Sequence, residues 1–322
     1  MNYIQNAYKG LYEWWRYFVG SIIIFIAWQI IGGIPLIVAI FWKAGFKNIA
    51  SGNTPLDLSG MVELLGNNLF LFLMLLSFVI GFLGLLFSSK LLHKLSFKDL
   101  TTTRRKIDWS RFWFIFILWG VLSTGLTVAD YYMTPEDYVV NINWEKFAVL
   151  AVIAILFIPI QTSFEEYFFR GYLMQGFGVI FKNKWAPLLI TSVGFGLLHL
   201  ANPEVETLGP MIMVFYIGTG FLLGIITLMD DGLELALGFH AANNLFTALL
   251  VTADWTALQT DSILRDISDP TKITFAEIVV PLLVMFPIIL FVLAKKYKWT
   301  NWQDKLFGKV APPPKEDYKI ME

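Results

Sequence analysis

The chain has no cysteine. That absence excludes disulfides, cysteine-ligated metal and thiol catalysis together. Charge is scarce as well: 15% of residues are Asp, Glu, Lys or Arg, against about 25% in soluble domains. The signs nearly cancel, with 24 basic and 25 acidic residues, so bulk charge offers nothing to a nucleic acid. Histidine occurs three times, and the H-E-x-x-H pattern of zinc proteases is missing. There is no internal repeat and no low-complexity run. What remains is apolar: 57% of the 322 residues are hydrophobic, and mean hydropathy is +0.63. A water-soluble enzyme and a disordered chain are both excluded. The expected fold class is all-α, a polytopic transmembrane helix bundle in a lipid bilayer.

A bilayer-crossing helix needs about 20 mostly apolar residues. Eight candidate spans fall near 18–42, 69–89, 112–132, 147–178, 186–201, 211–229, 232–253 and 275–294. The first is far longer than the apolar stretch of a cleavable signal peptide and lacks a clear cleavage site, so it reads as retained. Gly32, Gly33 and Pro35 predict a kink inside it. The fourth is long and charged in its second half, and the fifth is short.

Basic residues set orientation. They collect at Lys90–Arg111, at Lys182 and Lys184, and at Lys295–Lys309, three segments that alternation puts on one side. The other side holds Glu136, Asp137, Glu204, Glu206, Asp254 and Asp261. Both termini are then expected in the cytoplasm, and the membrane is the cytoplasmic one if the source is bacterial. Asp230 and Asp231 break the pattern. Leu100–Trp109 reads as a solvated loop or a segment lying on headgroups, and Pro312–Pro314 as extended and flexible. The expected division is 1–146 for N-terminal helices and basic loop, 147–252 for a core of four spans, and 253–322 for the last helix and basic tail.

Ionisable side chains inside apolar spans are expensive and mark function. Span four carries Glu165, Glu166 and Arg170. Glu166 and Arg170 are four apart and share a helix face. Glu165 points about 100° away, free to face a cavity. Span five carries His199, one turn after Phe195, with Gly194 and Gly196 permitting close helix approach. Span seven carries His240 and Asn244, four apart, with Asn243 a weaker candidate. His93 reads as a surface residue. Taken singly, an interfacial ion pair and histidine packing explain these motifs. Taken together, helix arithmetic from the turn near Phe181–Lys184 puts Glu165, His199, His240 and Asn244 at compatible depths.

A carboxylate and an imidazole can hold and deprotonate water, while an imidazole and an amide can donate to an oxyanion. That is the minimum set for peptide hydrolysis without a covalent intermediate. A zinc ion held by Glu165, His199 and His240 from three helices is the metal version of the same site.

The order E-E-x-x-x-R, F-x-x-x-H, H-x-x-x-N on successive membrane helices resembles the CPBP family of intramembrane proteases. That family includes CAAX prenyl endopeptidases and bacterial Abi, or bacteriocin-immunity, proteins. The resemblance covers about residues 147–252. It implies that Glu165 activates water with His199, that His240 and Asn244 line the oxyanion hole, and that Glu166 and Arg170 form a structural pair. The partner it implies is a peptide or protein substrate at the membrane. The family has been described both as metalloproteases and as metal-free glutamate proteases. Two other functions fit the residues: a non-catalytic immunity or binding protein on the same fold, and a proton-coupled transporter using the same groups as a relay.

Overall fold

The computed structural model describes residues 1–52 and 54–314. Residues 315–322, the end of the expected third segment, lie outside the described residues. Eight apolar helices organise the chain. They are α1 (Trp14–Ala44), α2 (Asn67–His93), α3 (Trp109–Met133), α4 (Trp144–Phe181), α5 (Trp185–Leu197), α6 (Pro210–Asp230), α7 (Glu234–Leu250) and α8 (Phe275–Tyr297). All but α5 and α7 are long and apolar enough to cross a bilayer. The protein is an all-α transmembrane bundle.

Local chemistry explains where these helices begin and end. Asp108, Asn143 and Thr274 accept backbone N–H groups at the starts of α3, α4 and α8, which satisfies donors that have no partner within the helix. Trp14, Trp109, Trp144 and Trp185 open α1, α3, α4 and α5 and remain exposed, as expected of indoles at a membrane interface. Helices α2, α4, α6 and α8 end on left-handed residues: Lys94, Lys182, Asp231 and Lys298. Three of these four are cations beside the negative end of a helix dipole.

The expected kink in α1 is present. A π-helical stretch spans Ile26–Ile31 and the helix resumes at Ile34. Gly32 packs on the α2 backbone so closely that a Cβ there would meet Ser77 Cα at 2.8 Å. A second π-helical stretch, Tyr167–Leu173, lies in α4 directly after Glu166. Such insertions recur at functional sites.

Helix α7 is the centre of the bundle. One apolar cluster joins Leu233 and Leu237 to Phe164 and Tyr167 of α4, Leu85 of α2 and Ile24 of α1. Another joins its Leu235 and Phe239 to Ile115 of α3, Leu222 of α6 and Ile289 of α8. A helix enclosed by protein need not match the bilayer, which is why α7 is short and carries polar residues. The outer helices show the complement: Phe18, Trp42, Leu83, Val121, Val152 and Phe291 are exposed and form lipid-facing surface.

The basic segments gather at one end of the bundle. Tyr3 Oη donates to Leu100 O at 2.5 Å, Val310 N to Lys182 O at 2.9 Å, and Leu233 N to Thr101 O at 2.8 Å. At the other end a three-stranded sheet closes the loops. Strand β1 (Tyr138–Val140) runs antiparallel to β3 (Leu264–Asp266), and β2 (Val251–Thr252) runs parallel to β3.

Three expectations change here. Leu100–Thr102 is buried rather than solvated, because Thr101 O, Leu100 O and Thr102 O all serve as acceptors for neighbouring segments. Asp230, out of place by the charge rule, is held by Arg104 at 2.7 Å and Arg111 at 2.6 Å; the acid completes the basic loop. His93 is fully buried, its ring nitrogens bonded to Leu11 O at 2.7 Å and Tyr172 Oη at 2.8 Å.

Candidate active site

Glu165 and Glu166 are adjacent and have opposite environments. Glu166 is wholly buried. Its Oε1 accepts from Arg170 Nη1 at 2.9 Å, and Arg170 Nη2 donates onward to Gly220 O of α6 at 3.0 Å. The guanidinium lies 4.5 Å from the centre of the Phe195 ring. The pair therefore joins α4, α5 and α6, and neither charge stands alone in the apolar interior.

Glu165 instead lines a cavity of about 370 Å³, inside the size range of ligand sites. His199 and Asn244 line the same cavity. The helix arithmetic is right about convergence and wrong about one support: α5 stops at Leu197, and His199 sits in the following turn, its N–H on Gly196 O at 2.9 Å. Its Nδ1 lies 2.8 Å from Phe195 O. A carbonyl can only accept, so Nδ1 carries the hydrogen and the Nε2 lone pair is left for a ligand. The ring stacks on Tyr216 of α6, with centroids 4.3 Å apart.

His240 bridges the two glutamates. Its Nδ1 is 2.8 Å from Glu166 Oε1 and its Nε2 is 3.5 Å from Glu165 Oε2. Oε1 of Glu166 already accepts from Arg170, so the imidazole is the donor. Asn244 Nδ2 donates to Gln161 Oε1 at 3.2 Å, and its Oδ1 accepts from Asn243 Nδ2 at 3.2 Å. Asn243 in turn accepts from Trp119 Nε1 at 3.1 Å. One amide hydrogen of Asn244 thus remains for a ligand. Among the described residues no group of three His, Asp or Glu side chains is placed to hold a metal ion. Glu165, His199 and His240 are not assembled as a zinc ligand set in this geometry.

The comparisons with known proteins converge on one family. The model for "Type II CAAX prenyl endopeptidase Rce1-like" proteins matches residues 144–246. The uncharacterized protein YyaK of Bacillus subtilis (strain 168) is 32% identical over 254 residues, covering 78% of this chain and 83% of YyaK. The chain belongs to the Rce1-like family. No solved structure matches. The stretch that identifies this Rce1-like protein contains Glu165, Glu166, Arg170, His199, His240 and Asn244.

Sequence reasoning missed several groups of the Rce1-like cavity. Gln161 lies one turn before Glu165 on the same face of α4, and that spacing was the available signal. Asn202, Glu204 and Tyr216 also line the cavity. They arrive there because the chain turns back after α5 into the short helix Pro203–Leu208. No periodicity announces such a return.

Proposed function

We propose that this Rce1-like protein is an intramembrane endopeptidase that hydrolyses a peptide bond with water activated by Glu165 and His199, without a metal. The observation that carries the reading is one cavity lined by Glu165, His199 and Asn244, with the buried Glu166–Arg170 pair behind it. Water held between the Glu165 carboxylate and His199 Nε2 attacks the carbonyl carbon as Glu165 takes its proton. The carbonyl oxygen gains negative charge beside the free Asn244 amide hydrogen and His240 Nε2. Glu165 then passes the proton to the leaving nitrogen, the oxyanion collapses as the C–N bond breaks, and the products are a carboxylic acid, which keeps the second water proton until it ionises, and an amine.

His240 serves this scheme with both ring nitrogens protonated, Nδ1 toward Glu166 and Nε2 toward Glu165. Glu165, Glu166, Arg170 and His240 then carry two negative and two positive charges, a balance that a low-dielectric interior favours. The basic end, with the described N-terminal and C-terminal segments beside it, is assigned to the cytoplasm. The substrate is a peptide or protein at the membrane. The family description supplies the precedent of prenylated C-termini, and this chain's own substrate is the subject of the next subsection.

The test is cleavage of a quenched peptide library by detergent-purified wild type and Glu165→Gln, with and without a chelator. Wild-type cleavage that resists chelation and is lost in Glu165→Gln supports the reading. Full activity in Glu165→Gln overturns the mechanism, and loss on chelation with recovery on zinc overturns its metal-free form.

A further inference from the structure

The cavity holds a second carboxylate far from Glu165 in sequence. Glu204, on the short helix Pro203–Leu208, lines the same space as Glu165 and His199. One of its oxygens has a structural partner: Oε1 accepts from Ala257 N at 2.8 Å, tying this helix to the loop after β2. The other does not. Oε2 is shielded from solvent and has no hydrogen-bond partner. A buried carboxylate oxygen left unpaired is costly and calls for an explanation.

The rest of the lining sharpens the question. No described lysine or arginine lines the cavity. The nearby cation, Arg170, sits behind the wall and is matched by Glu166. Glu165 faces His240 at 3.5 Å, whereas Glu204 has no cation beside it among the described lining residues. Beside Glu204 the polar groups are Asn202 and Tyr216, the Tyr216 hydroxyl 3.5 Å from Asn202 Nδ2. One face of the Tyr216 ring is taken by His199, and the residue lines the cavity beside Glu204 as an aromatic wall. Burial also raises the Glu204 carboxyl above the ordinary carboxylate value, the behaviour of an acid waiting for a counter-charge.

We infer that Glu204 forms a specificity subsite for a basic side chain of the substrate, lysine or arginine, with its Oε2 as acceptor and Tyr216 as an aromatic wall. The inference rests on the proposed endopeptidase reading and names the substrate class of that same cavity. A basic side chain would supply the missing donor at Oε2 and the missing charge together. An acidic side chain would meet two carboxylates and be rejected.

The test separates recognition from chemistry. Peptides capped by N-acetylation and C-amidation carry a neutral dye, an apolar sequence and one variable residue: Lys, Arg, norleucine, Gln or Glu. Binding is read by fluorescence anisotropy on full-length Glu165→Gln in detergent, where Glu204 is the remaining cavity carboxylate. Lys and Arg peptides are expected to bind tighter than the norleucine peptide by about tenfold or more, the order of one charge-assisted hydrogen bond. The Glu peptide is expected to be weakest. In Glu165→Gln/Glu204→Gln the preference for basic residues is expected to fall to about onefold. Unsubstituted protein must give the same order in competition, which guards against a folding defect in the variants. Equal binding of Lys and norleucine peptides, or a preference that survives Glu204→Gln, overturns the subsite. Failure of wild type to cleave any of these peptides removes the protease reading and leaves the binding result standing by itself.

Discussion

The basic end of the bundle and the cavity both hold buried carboxylates, and they treat them in opposite ways. At the basic end the buried acids of the described residues are answered. Asp230 takes Arg104, Arg111 and the Trp299 indole N–H; Glu234 takes Arg104 and the Asp108 backbone; Lys305 reaches Asp231. In the cavity, Glu165 has a 3.5 Å contact to His240, and Glu204 leaves one oxygen unpaired. Saturated charge is the mark of a clamp, here holding the loop before α3, the α6–α7 turn and the C-terminal segment together. Charge held apart from a counter-ion is costly, and a site that keeps it does so for a ligand.

The sharpest way to break this contrast is at Glu165. Glu165→Gln keeps the shape and removes the base, so cleavage should drop on the order of 10⁴-fold, the upper range for general-base loss, while thermal unfolding of the detergent-solubilised protein stays near wild type. Arg170→Met attacks the buried ion pair that borders the cavity. Both partners are fully buried, so breaking the pair should cost about 3–5 kcal/mol of stability, seen as a large fall in unfolding temperature. Activity should fall with it, because the Gly220 carbonyl loses its donor and Glu166, which holds His240, loses the guanidinium that fixes it.

Asn244→Ala comes next. It removes one oxyanion donor and should lower kcat by about 10²–10³-fold with KM little changed. Its neighbour Asn243, tied to Trp119, positions it. Arg104→Met tests the clamp. Asp230 keeps Arg111, but Glu234 loses its guanidinium partner, so stability should fall by about 1–3 kcal/mol while kcat per folded molecule is unchanged. A kcat loss in Arg104→Met beyond the loss of folded protein would mean that the two regions are not separate.

Much of this was legible in the sequence. Helix count, the Glu166–Arg170 pair and the convergence of Glu165, His199, His240 and Asn244 follow from regular periodicity, which carries across a long helix without knowledge of its neighbours. The failures share one physical origin. His93 is buried by Leu11 and Tyr172, Asp230 is paired with Arg104, and Glu204 is tied to Ala257. Each depends on a segment distant in the chain, and hydropathy of one element cannot see another. His240 shows the intermediate case. Its helix and face were readable, but its role as a bridge between adjacent glutamates depended on how α7 packs against α4.

The smallest expected effect is on stability at Glu204, and its sign is opposite to that of a clamp residue. Burial raises the folded-state carboxyl above its unfolded value, so folding opposes ionisation. The stabilising contribution of the protonated form is complete below the unfolded pKa and is lost as pH rises through the folded one. Glu204→Gln cannot ionise. Without substrate it should therefore unfold at a higher temperature than wild type at pH 8, by about 1–2 °C, and the gap should close as pH falls toward 4. An acid in the saturated network behaves in the reverse sense: Asp108, held low by its Ser110 hydrogen bond, stabilises above its unfolded pKa and loses that contribution as pH falls through the folded one. Adding a lysine peptide should raise the unfolding temperature of wild type at pH 8 and leave Glu204→Gln nearly unmoved, because a bound cation restores to the carboxylate what burial took from it. A wild type that gains nothing from the lysine peptide would make Glu204 one more structural acid and erase the distinction between the two regions at that residue.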